Sequence, residues 1–581
     1  MKRATFGARA AASLAALSLT SLVVTSLGCG APSKAAKGAQ IIFQGDSRAL
    51  RQRAPGAAPN SPGHPAILFL AFDGVDRSLI YDMLKRGELP ALGELLGGLG
   101  GGFAHAHFDE TLLSTLPSST MAAWTTAMSG VPPARHGVTG NEFFMREVRK
   151  LGAPAPVSFD DSKPTLSIYT DGYLDALRGL PSVYDRMRQD DPDVLIWVAV
   201  HQIYSGADLL LLTKPTLVAH AFEHVVEEAA GKLANKKPSR DLYAAVDKDV
   251  VSVVIKQLET GPVPDVLTVY LSGTDLYAHI AAEGPDEARR AYLKEVADPA
   301  LGQLAAALHA RNALDDRYVV LTSDHGHTQV LHDDVHALST KGPEDPPALV
   351  KKAGYRLRPF QLEVDDKADF DAVYAPGGAM AYLYVADRST CPKEKTPCDW
   401  TRPPRYEEDV LPLAEAFYKN NEDGALAPKM KGTLDLVLTR RPRPFAEDDL
   451  PFEVYVGQGR TVPVEAYLKE HPHPTYVDVL SRLRDLGVGS HGERAGDVLL
   501  LAHNGDRDDV RQRYYFADLY RSWHGSPSRK DSEIPLIVAH AHHASAELGA
   551  QVARVLGGEP HQQKVTDLLL ALRQGKTIEP R

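Results

Sequence analysis

Residues 66–74 read Ala-Ile-Leu-Phe-Leu-Ala-Phe-Asp-Gly, an unbroken apolar run that ends in a carboxylate and a glycine. A strand that is apolar at every position is typical of a parallel sheet with both faces covered. Three later runs have the same apolar character, at 194–200, 266–271 and 318–322, and helical patterns separate them. This alternation predicts an α/β fold with a doubly wound, mostly parallel sheet and helices on both faces.

Aspartates follow the ends of three of these strands. Asp73 comes directly after the first run, and Asp275 and Asp324 follow the runs at 266–271 and 318–322. Ligands of such sheets bind at the carboxyl ends of the strands. His279 lies four residues after Asp275, a spacing that places both side chains on one face of a helix. His325 directly follows Asp324. Taken singly, each residue also fits an ordinary cap, loop or surface pair.

A turn rich in hydroxyl groups precedes a short apolar helix pattern at 116–130. Pro117 ends the preceding segment, and Ser118, Ser119 and Thr120 are all favoured at a helix N-cap. The N-terminus of a helix favours negative charge, which suits an alkoxide nucleophile or a bound phosphate. A plain Ser/Thr cap is the alternative interpretation of this stretch.

His524 adds a third histidine to the potential ligands, although alone it also fits an ordinary loop. In order and spacing, these segments resemble the alkaline phosphatase superfamily, and most closely its type I phosphodiesterase/nucleotide pyrophosphatase branch. The segments that carry the resemblance are Phe72-Asp73-Gly74, Pro117-Ser118-Ser119-Thr120, His136-Gly137-Val138-Thr139-Gly140-Asn141, Asp275 through His279, Ser323-Asp324-His325-Gly326 and His524-Gly525.

The resemblance implies a hydrolase that cleaves phosphate diesters or pyrophosphates with two zinc ions as cofactors. Thr120 would be the nucleophile and would form a phospho-Thr120 intermediate, while Asn141 would donate to a phosphoryl oxygen. His327 matches no position of the family pattern. The family pattern gives two sets of ligands: Asp73, Thr120, Asp324 and His325 for one ion, and Asp275, His279 and His524 for the other.

Several sequence features bear on the substrate. No Lys or Arg lies in the first helical turn after Thr120 to meet the extra charge of a phosphomonoester, which favours diesters. The Cys/Ser-x-Pro-x-Arg pattern of sulfatases is absent near this helix, and the apolar residues 121–124 weaken the expectation of nucleoside stacking. Two alternatives stay open: a phosphomonoesterase using the same site, and a non-catalytic envelope protein of the same fold. Three histidines among the ligands favour zinc over manganese.

The first 29 residues are typical of a bacterial export signal. Lys2 and Arg3 precede an uncharged, mostly apolar run at 11–24 that is short for a membrane span. Residues 26–29 resemble a lipoprotein cleavage site, which would attach lipid to Cys29 and offer membrane attachment, and plain signal-peptidase cleavage is the alternative. We expect an exported protein, periplasmic or anchored to the outer membrane.

The rest of the chain divides into four predicted parts. Their bounds are a flexible linker at 30–64, the first part of the core at 65–325, an insertion or cap at 326–496, and the final part of the core at 497–581. The linker could instead be an arm packed on the core. We expect the insertion to line the pocket beside Thr120. Cys391 and Cys398 flank a turn-rich loop, which predicts a disulfide in an oxidising compartment.

The charge and composition of the chain limit the kinds of partner that it can bind. The 581 residues carry a net charge of −11, with no long basic run, which argues against a nucleic-acid-binding face. Hydrophobic residues make up 44% and charged residues 24%, as in ordinary globular proteins. The resemblance implies a small-molecule phosphate ester as the partner, and an acidic enzyme would need local cations, such as bound metal, to accept it.

Overall fold

The computed structural model describes residues 47–51, 63–98, 102–159, 161, 163–213, 240–393, 395–442 and 449–575. The predicted export signal and most of the predicted linker lie outside these residues. Residues 217–228, for which the sequence pattern predicts a helix, also lie outside them. Over the described ranges, every helix is too short or too polar to cross a membrane.

The strands are numbered in chain order. They are β1 Ser47–Ala49, β2 Ala66–Phe72, β3 Ala106–Asp109, β4 Phe143–Met145, β5 Lys150–Gly152, β6 Ile196–Ala199, β7 Leu209–Leu211, β8 Val266–Leu271, β9 Arg317–Ser323, β10 Thr328–Gln329, β11 Ala372–Gly377, β12 Met380–Val385, β13 Leu434–Arg440, β14 Phe452–Tyr455, β15 Thr461–Pro463, β16 Val498–Ala502, β17 Ser522–Trp523 and β18 Leu536–Ala539.

The α-helices are numbered in the same way. They are α1 Arg77–Lys85, α2 Pro90–Leu95, α3 Thr120–Ser129, α4 Pro133–His136, α5 Lys163–Asp171, α6 Tyr173–Arg178, α7 Val183–Asp190, α8 Arg240–Thr260, α9 Gly273–Ala278, α10 Pro285–Tyr292, α11 Asp298–His309, α12 Pro346–Lys352, α13 Leu411–Asp423, α14 Val464–Glu470, α15 Val479–Gly487, α16 Arg529–Ser532, α17 Ser545–Leu556 and α18 Lys564–Gln574.

The central sheet has the strand order β1-β7-β6-β8-β2-β9-β18-β3 in the described part of the chain. Its middle strands, β7, β6, β8, β2 and β9, are parallel to one another, and β1 and β18 pair antiparallel at either side. Every residue of β8 and β9 is buried, as expected of strands covered on both faces. The prediction of a mostly parallel α/β sheet is confirmed.

The edge strand β1 lies inside the segment predicted as a flexible linker. Its three residues pair with β7, and the backbone N–H of Leu50 donates to the carbonyl of Asp208 at 2.9 Å. The side chain of Arg48 donates to the carbonyl of Tyr169 at 2.7 Å. For these residues the linker prediction is wrong, because the exposed edge of β7 offers backbone hydrogen bonds that the short strand satisfies.

A smaller antiparallel sheet occupies much of the predicted insertion. Its strand order is β11-β12-β16-β13-β14-β15 in the described residues. The sequence pattern places residues 498–502 with the final part of the core, but they form β16 at the centre of this sheet, between β12 and β13. An apolar run of five residues fits either sheet, and pairing with β12 and β13 decides between them. The predicted disulfide Cys391–Cys398 is present beside this sheet.

His561 links the segment before α18 to the region around α15. Its Nε2 lies 2.6 Å from Asp478 Oδ2 and its Nδ1 lies 3.0 Å from Asp485 Oδ2. Burial opposes the charged imidazole, but the hydrogen bonds and charges of both carboxylates outweigh it and raise the pKa of His561 to about 9. The folded protein therefore stabilises the charged form of the His561 imidazole.

This raised pKa gives stability a defined pH dependence. The contribution of His561 is fully present below its unfolded pKa of about 6.5 and is lost as the pH rises through 9. We expect His561→Gln to lower the free energy of unfolding by about 1–2 kcal/mol at pH 6, after allowing for solvent screening of the half-exposed Asp478. Urea unfolding at pH 6 and pH 10 measures this loss, which should shrink at pH 10. The exposed His309→Gln serves as the control, and an equal loss for His561→Gln at both pH values would contradict the prediction.

Candidate active site

Three carboxylates gather where neighbouring parallel strands end. In the register of the sheet, Phe72 at the end of β2 lies opposite Leu271 of β8 and Ser323 of β9. Asp73, Asp275 and Asp324 follow these three strands, so their side chains project from the same edge of the sheet. All three are buried. The strand-end pattern of the sequence thus corresponds to one site in space.

Asp73, Asp324 and His325 form the first group of potential ligands. His325 Nε2 lies 3.5 Å from Asp73 Oδ1 and 3.5 Å from Asp324 Oδ2. Neither of these two carboxylate oxygens has a hydrogen-bond partner within the described residues, although both are buried. Buried oxygens without a donor are costly, and a cation placed among the three atoms would satisfy them.

Thr120 is the first residue of α3 and lies beside this group. Its Oγ1 is 3.1 Å from His325 Nε2, although 205 residues separate the two along the chain. Ser119 occupies the N-cap position without a side-chain capping bond, and the hydroxyl of Ser118 donates to the carbonyl of Ser526 at 2.9 Å. Of the three hydroxyl residues in the turn, Thr120 therefore contacts the carboxylate–histidine group.

Asp275, His279 and His524 form the second group. Asp275 lies in α9 and His279 follows that helix, and their ligand atoms are 3.5 Å apart, as the four-residue spacing predicts. His524 follows β17, and its Nε2 lies 3.9 Å from the same Asp275 oxygen. The rings of His524 and His325 stack with centroids 3.6 Å apart, which brings the two groups together.

The three predicted histidine ligands share one hydrogen-bonding arrangement. Each directs Nδ1 to a backbone carbonyl oxygen: His279 to Ser522 at 2.8 Å, His325 to Gly326 at 3.0 Å, and His524 to Ser118 at 2.9 Å. An imidazole that donates from Nδ1 has its lone pair on Nε2, the form that binds metal. Burial lowers the pKa of His279 and of His524, which favours the neutral form of both rings.

The carboxylates bring a local excess of negative charge. Burial raises the pKa of Asp73, and the charges of Asp324 and Asp275 raise it further. Burial also raises the pKa of Asp324. Bound cations would relieve this repulsion, and carboxylate oxygens together with neutral imidazoles are a donor set that suits zinc. The residues present therefore fit a metal centre.

Asn141 lies beside the start of α3. Its side-chain oxygen accepts a hydrogen bond from the backbone N–H of Met121 at 3.0 Å. This bond fixes the amide beside the first turn of α3, and Asn141 lines the same pocket as Thr120. Because the oxygen is already engaged, the amide nitrogen remains available as a donor to a ligand.

Two residues that the motif pattern did not assign also contact the carboxylates. The hydroxyl of Tyr270 donates to Asp73 Oδ2. His327 Nε2 lies 2.7 Å from Asp275 Oδ1. Tyr270 carries a polar hydroxyl within the buried strand β8, one residue before its end, and this is the signal that could have identified it.

The pocket beside Thr120 has a cavity of about 220 Å³. No part of the segment 326–496 lines it within the described residues, so the prediction that the insertion supplies the lining is wrong. The lining comes instead from the core, because β6 and β7 continue the sheet beside β8 and bring the segments after them to the site. The lining residues fall at 73, 120–121, 141, 155–169, 200–213, 246, 270–279 and 520–524.

The smaller sheet contacts the segment that carries His524. The backbone N–H of Ala379, in the turn between β11 and β12, donates to the carbonyl of His524 at 3.0 Å. Gly378 in the same turn has a φ of +84°, and a Cβ there would lie 1.6 Å from Trp523 Nε1. Only glycine permits both this backbone conformation and this close approach. The β11–β12 turn thus holds the segment that carries His524.

A family model and several solved structures match this chain. Residues 67–446 match the family model described as type I phosphodiesterase / nucleotide pyrophosphatase. Similar solved structures include two of murine ectonucleotide pyrophosphatase/phosphodiesterase 5, one of them an inactive variant in complex with AMP. Each is 11% identical to this chain, covers 89% of it and 97% of its own chain, and gives a TM-score of 0.45.

Proposed function

Because this chain belongs to the type I phosphodiesterase/nucleotide pyrophosphatase family of metal-dependent hydrolases, we propose that it cleaves phosphodiesters or pyrophosphates through Thr120 at a two-zinc site. The family acts on small phosphate esters or nucleotides. The main support for Thr120 as the nucleophile is the contact of 3.1 Å between Thr120 Oγ1 and His325 Nε2. This contact lies beside oxygens of Asp73 and Asp324 that have no hydrogen-bond partner among the described residues.

Two sets of side chains would hold the ions. When bound, the ions would lower the pKa of the Thr120 hydroxyl and offset the negative charge of the phosphoryl group. The carbonyl oxygens that accept from the histidine Nδ1 atoms keep the ligand rings in orientation. The first set is Asp73, Thr120, Asp324 and His325, and the second is Asp275, His279 and His524.

Thr120 attacks phosphorus and displaces one ester group, which leaves the other on a phospho-Thr120 intermediate. Its position at the N-terminus of the ten-residue helix α3 favours the negative charge of the attacking oxygen and of the bound phosphate. The Asn141 amide, held by its bond to the Met121 N–H, donates to the phosphoryl oxygen. Water then cleaves the bond between Thr120 and phosphorus.

The pocket favours diesters over monoesters. Among its described lining residues there is no Lys or Arg to pair with the second negative charge of a phosphomonoester. Apolar side chains such as Val157, Leu212 and Leu276 instead suit an uncharged ester group.

The test compares kcat/KM for bis(p-nitrophenyl) phosphate and p-nitrophenyl phosphate, with a chelator and after zinc is restored. A preference for the monoester would favour the phosphomonoesterase alternative, and stoichiometric zinc without turnover of either ester would favour a binding protein.

Asn141→Ala is expected to lower kcat for the diester by about 10²-fold with a smaller change in KM, because the lost hydrogen bond matters most in the transition state. Asn141→Asp keeps an acceptor for the Met121 N–H but replaces the donor by a negative oxygen, so its loss should be at least as large. Steady-state kinetics of both variants provide the measurement. A kcat within about 3-fold of the wild type in Asn141→Ala would show that the amide has no such role.

Export and lipid attachment at Cys29 remain part of the proposal. They are supported by the charged start, the apolar run and the small residues that precede Cys29. Labelling of a bacterial host with radioactive palmitate tests the lipid, with Cys29→Ser as the control. Equal labelling of the two proteins, or none in either, would rule out lipid at this residue.

A further inference from the structure

His327 lies at the centre of the second ligand group, but the family pattern gives it no role. It is buried and follows β9 by four residues. Its ring centroid is 4.8 Å from that of His279 and 5.5 Å from that of His524. Its Nε2 lies 2.7 Å from Asp275 Oδ1, nearer than the Nε2 atoms of His279 and His524, which lie 3.5 and 3.9 Å from that oxygen.

The hydrogen bonds of Ser522 indicate which nitrogen of His327 carries the proton. The Ser522 hydroxyl donates its one hydrogen to the carbonyl of Ala278 at 2.8 Å. The same hydroxyl oxygen lies 3.1 Å from His327 Nδ1 and can only accept from it. Assigned from this network, the proton of a neutral His327 ring is on Nδ1 and the lone pair is on Nε2.

That lone pair is directed at a carboxylate. Two electron-rich atoms 2.7 Å apart, Nε2 and Asp275 Oδ1, repel each other unless a proton or a cation lies between them. A metal ion between the two atoms fits the arrangement of His279, His325 and His524, whose Nε2 atoms also face carboxylates. The ligand atoms of Asp275, His279 and His327 lie within 4.8 Å of one another.

We propose that His327 is a further ligand of the second ion, joining Asp275, His279 and His524 through Nε2. The inference rests on the proposed two-zinc site and extends its ligand set from three protein side chains to four at this ion. Ser522 acts as a positioning residue, because its hydroxyl accepts the Nδ1–H and so directs the lone pair of Nε2 to the metal.

Ligand counting in the cobalt-substituted protein tests this directly. Each imidazole bound to Co²⁺ gives an exchangeable ring N–H signal with a large paramagnetic shift in the proton NMR spectrum. We expect such signals from His279, His325, His524 and His327, and the loss of one of them in His327→Gln. Competition with a chromophoric chelator measures zinc affinity in parallel, and His327→Gln should weaken the second ion by at least ~10-fold.

Two further variants complete the experiment. Ser522→Ala removes the acceptor for Nδ1–H and should weaken the second ion by about 10-fold while all four shifted signals persist. His136→Gln removes an equally buried imidazole that contacts Thr126 at 2.9 Å, outside the cluster, and should leave two ions at wild-type affinity. Three shifted signals in the wild-type protein would overturn the proposal, even if His327→Gln does not fold. Two ions at unchanged affinity in His327→Gln would overturn it too.

These readouts do not depend on turnover. A protein that binds two ions with four imidazole signals but cleaves no diester would refute the proposed function and leave the role of His327 intact. A protein that cleaves diesters with only three signals would refute the role of His327 and leave the proposed function intact.

Discussion

Thr120→Ala is expected to lower kcat for an aryl phosphodiester by about 10³-fold or more, because it removes the atom that attacks phosphorus. Thr120 Oγ1 is the hydroxyl that contacts His325 in the cluster of potential ligands. Thr120→Ser keeps a hydroxyl and should retain much more activity than Thr120→Ala. Steady-state kinetics with bis(p-nitrophenyl) phosphate at saturating zinc measure both variants.

The matched control for Thr120→Ala is Thr125→Val. Thr125 is buried in the same helix, but its hydroxyl donates to the carbonyl of Met121 at 2.6 Å and does not face the cluster. This variant should keep kcat within a few-fold of the wild-type value. If Thr120→Ala retained as much activity as Thr125→Val, Thr120 could not be the nucleophile.

Asp324→Asn is expected to have opposite effects on metal binding and on the stability of the metal-free protein. Asn keeps the side-chain oxygen that accepts from the N–H of Gly74 at 3.0 Å and from that of His325 at 2.9 Å. It removes one of the buried negative charges beside Asp73, so repulsion within the cluster falls. We therefore expect the zinc content of Asp324→Asn to fall sharply and its kcat to fall by about 10³-fold. The metal-free variant should be more stable than the metal-free wild type by about 1 kcal/mol.

Calorimetric melting with and without zinc measures this second prediction. The wild-type Tm should rise strongly with zinc, because an ion that binds the folded state stabilises it, and the Tm of Asp324→Asn should rise less. In a chelator the Tm of the variant should exceed that of the wild type. Asp82→Asn, at a partly exposed aspartate in α1, is the control for the loss of one carboxylate. A metal-free Asp324→Asn that melts below the metal-free wild type would refute the repulsion argument.

Much of the site could be predicted because the rules that place it are local. Asp73, Asp275 and Asp324 each follow an apolar run, and carboxyl ends of neighbouring parallel strands meet at one edge whatever the loops do. The spacing of Asp275 and His279 is that of one helical turn. Thr120 is identified by its match to the family pattern, and its place at the start of α3 follows from Pro117 and the hydroxyl residues before the helix.

The features of the fold and site that could not be predicted depend on contacts between distant segments. The lining at 200–213 reaches the pocket because β6 and β7 extend the sheet beyond β8, and no single strand determines the strand order. The run Val498–Ala502 is apolar throughout and would fit either sheet, so only its pairing with β12 and β13 assigns it. The lone-pair direction of His327 depends on Ser522, which is 195 residues away.

The stereochemical course at phosphorus shows whether the reaction passes through a covalent bond between Thr120 and phosphorus. A phosphorothioate diester of one configuration is hydrolysed in water enriched in oxygen-18, and the configuration of the chiral product is determined. Two successive in-line displacements, first by Thr120 and then by water, predict net retention. Net inversion would mean that water attacks the substrate directly and would contradict the role of Thr120 as nucleophile.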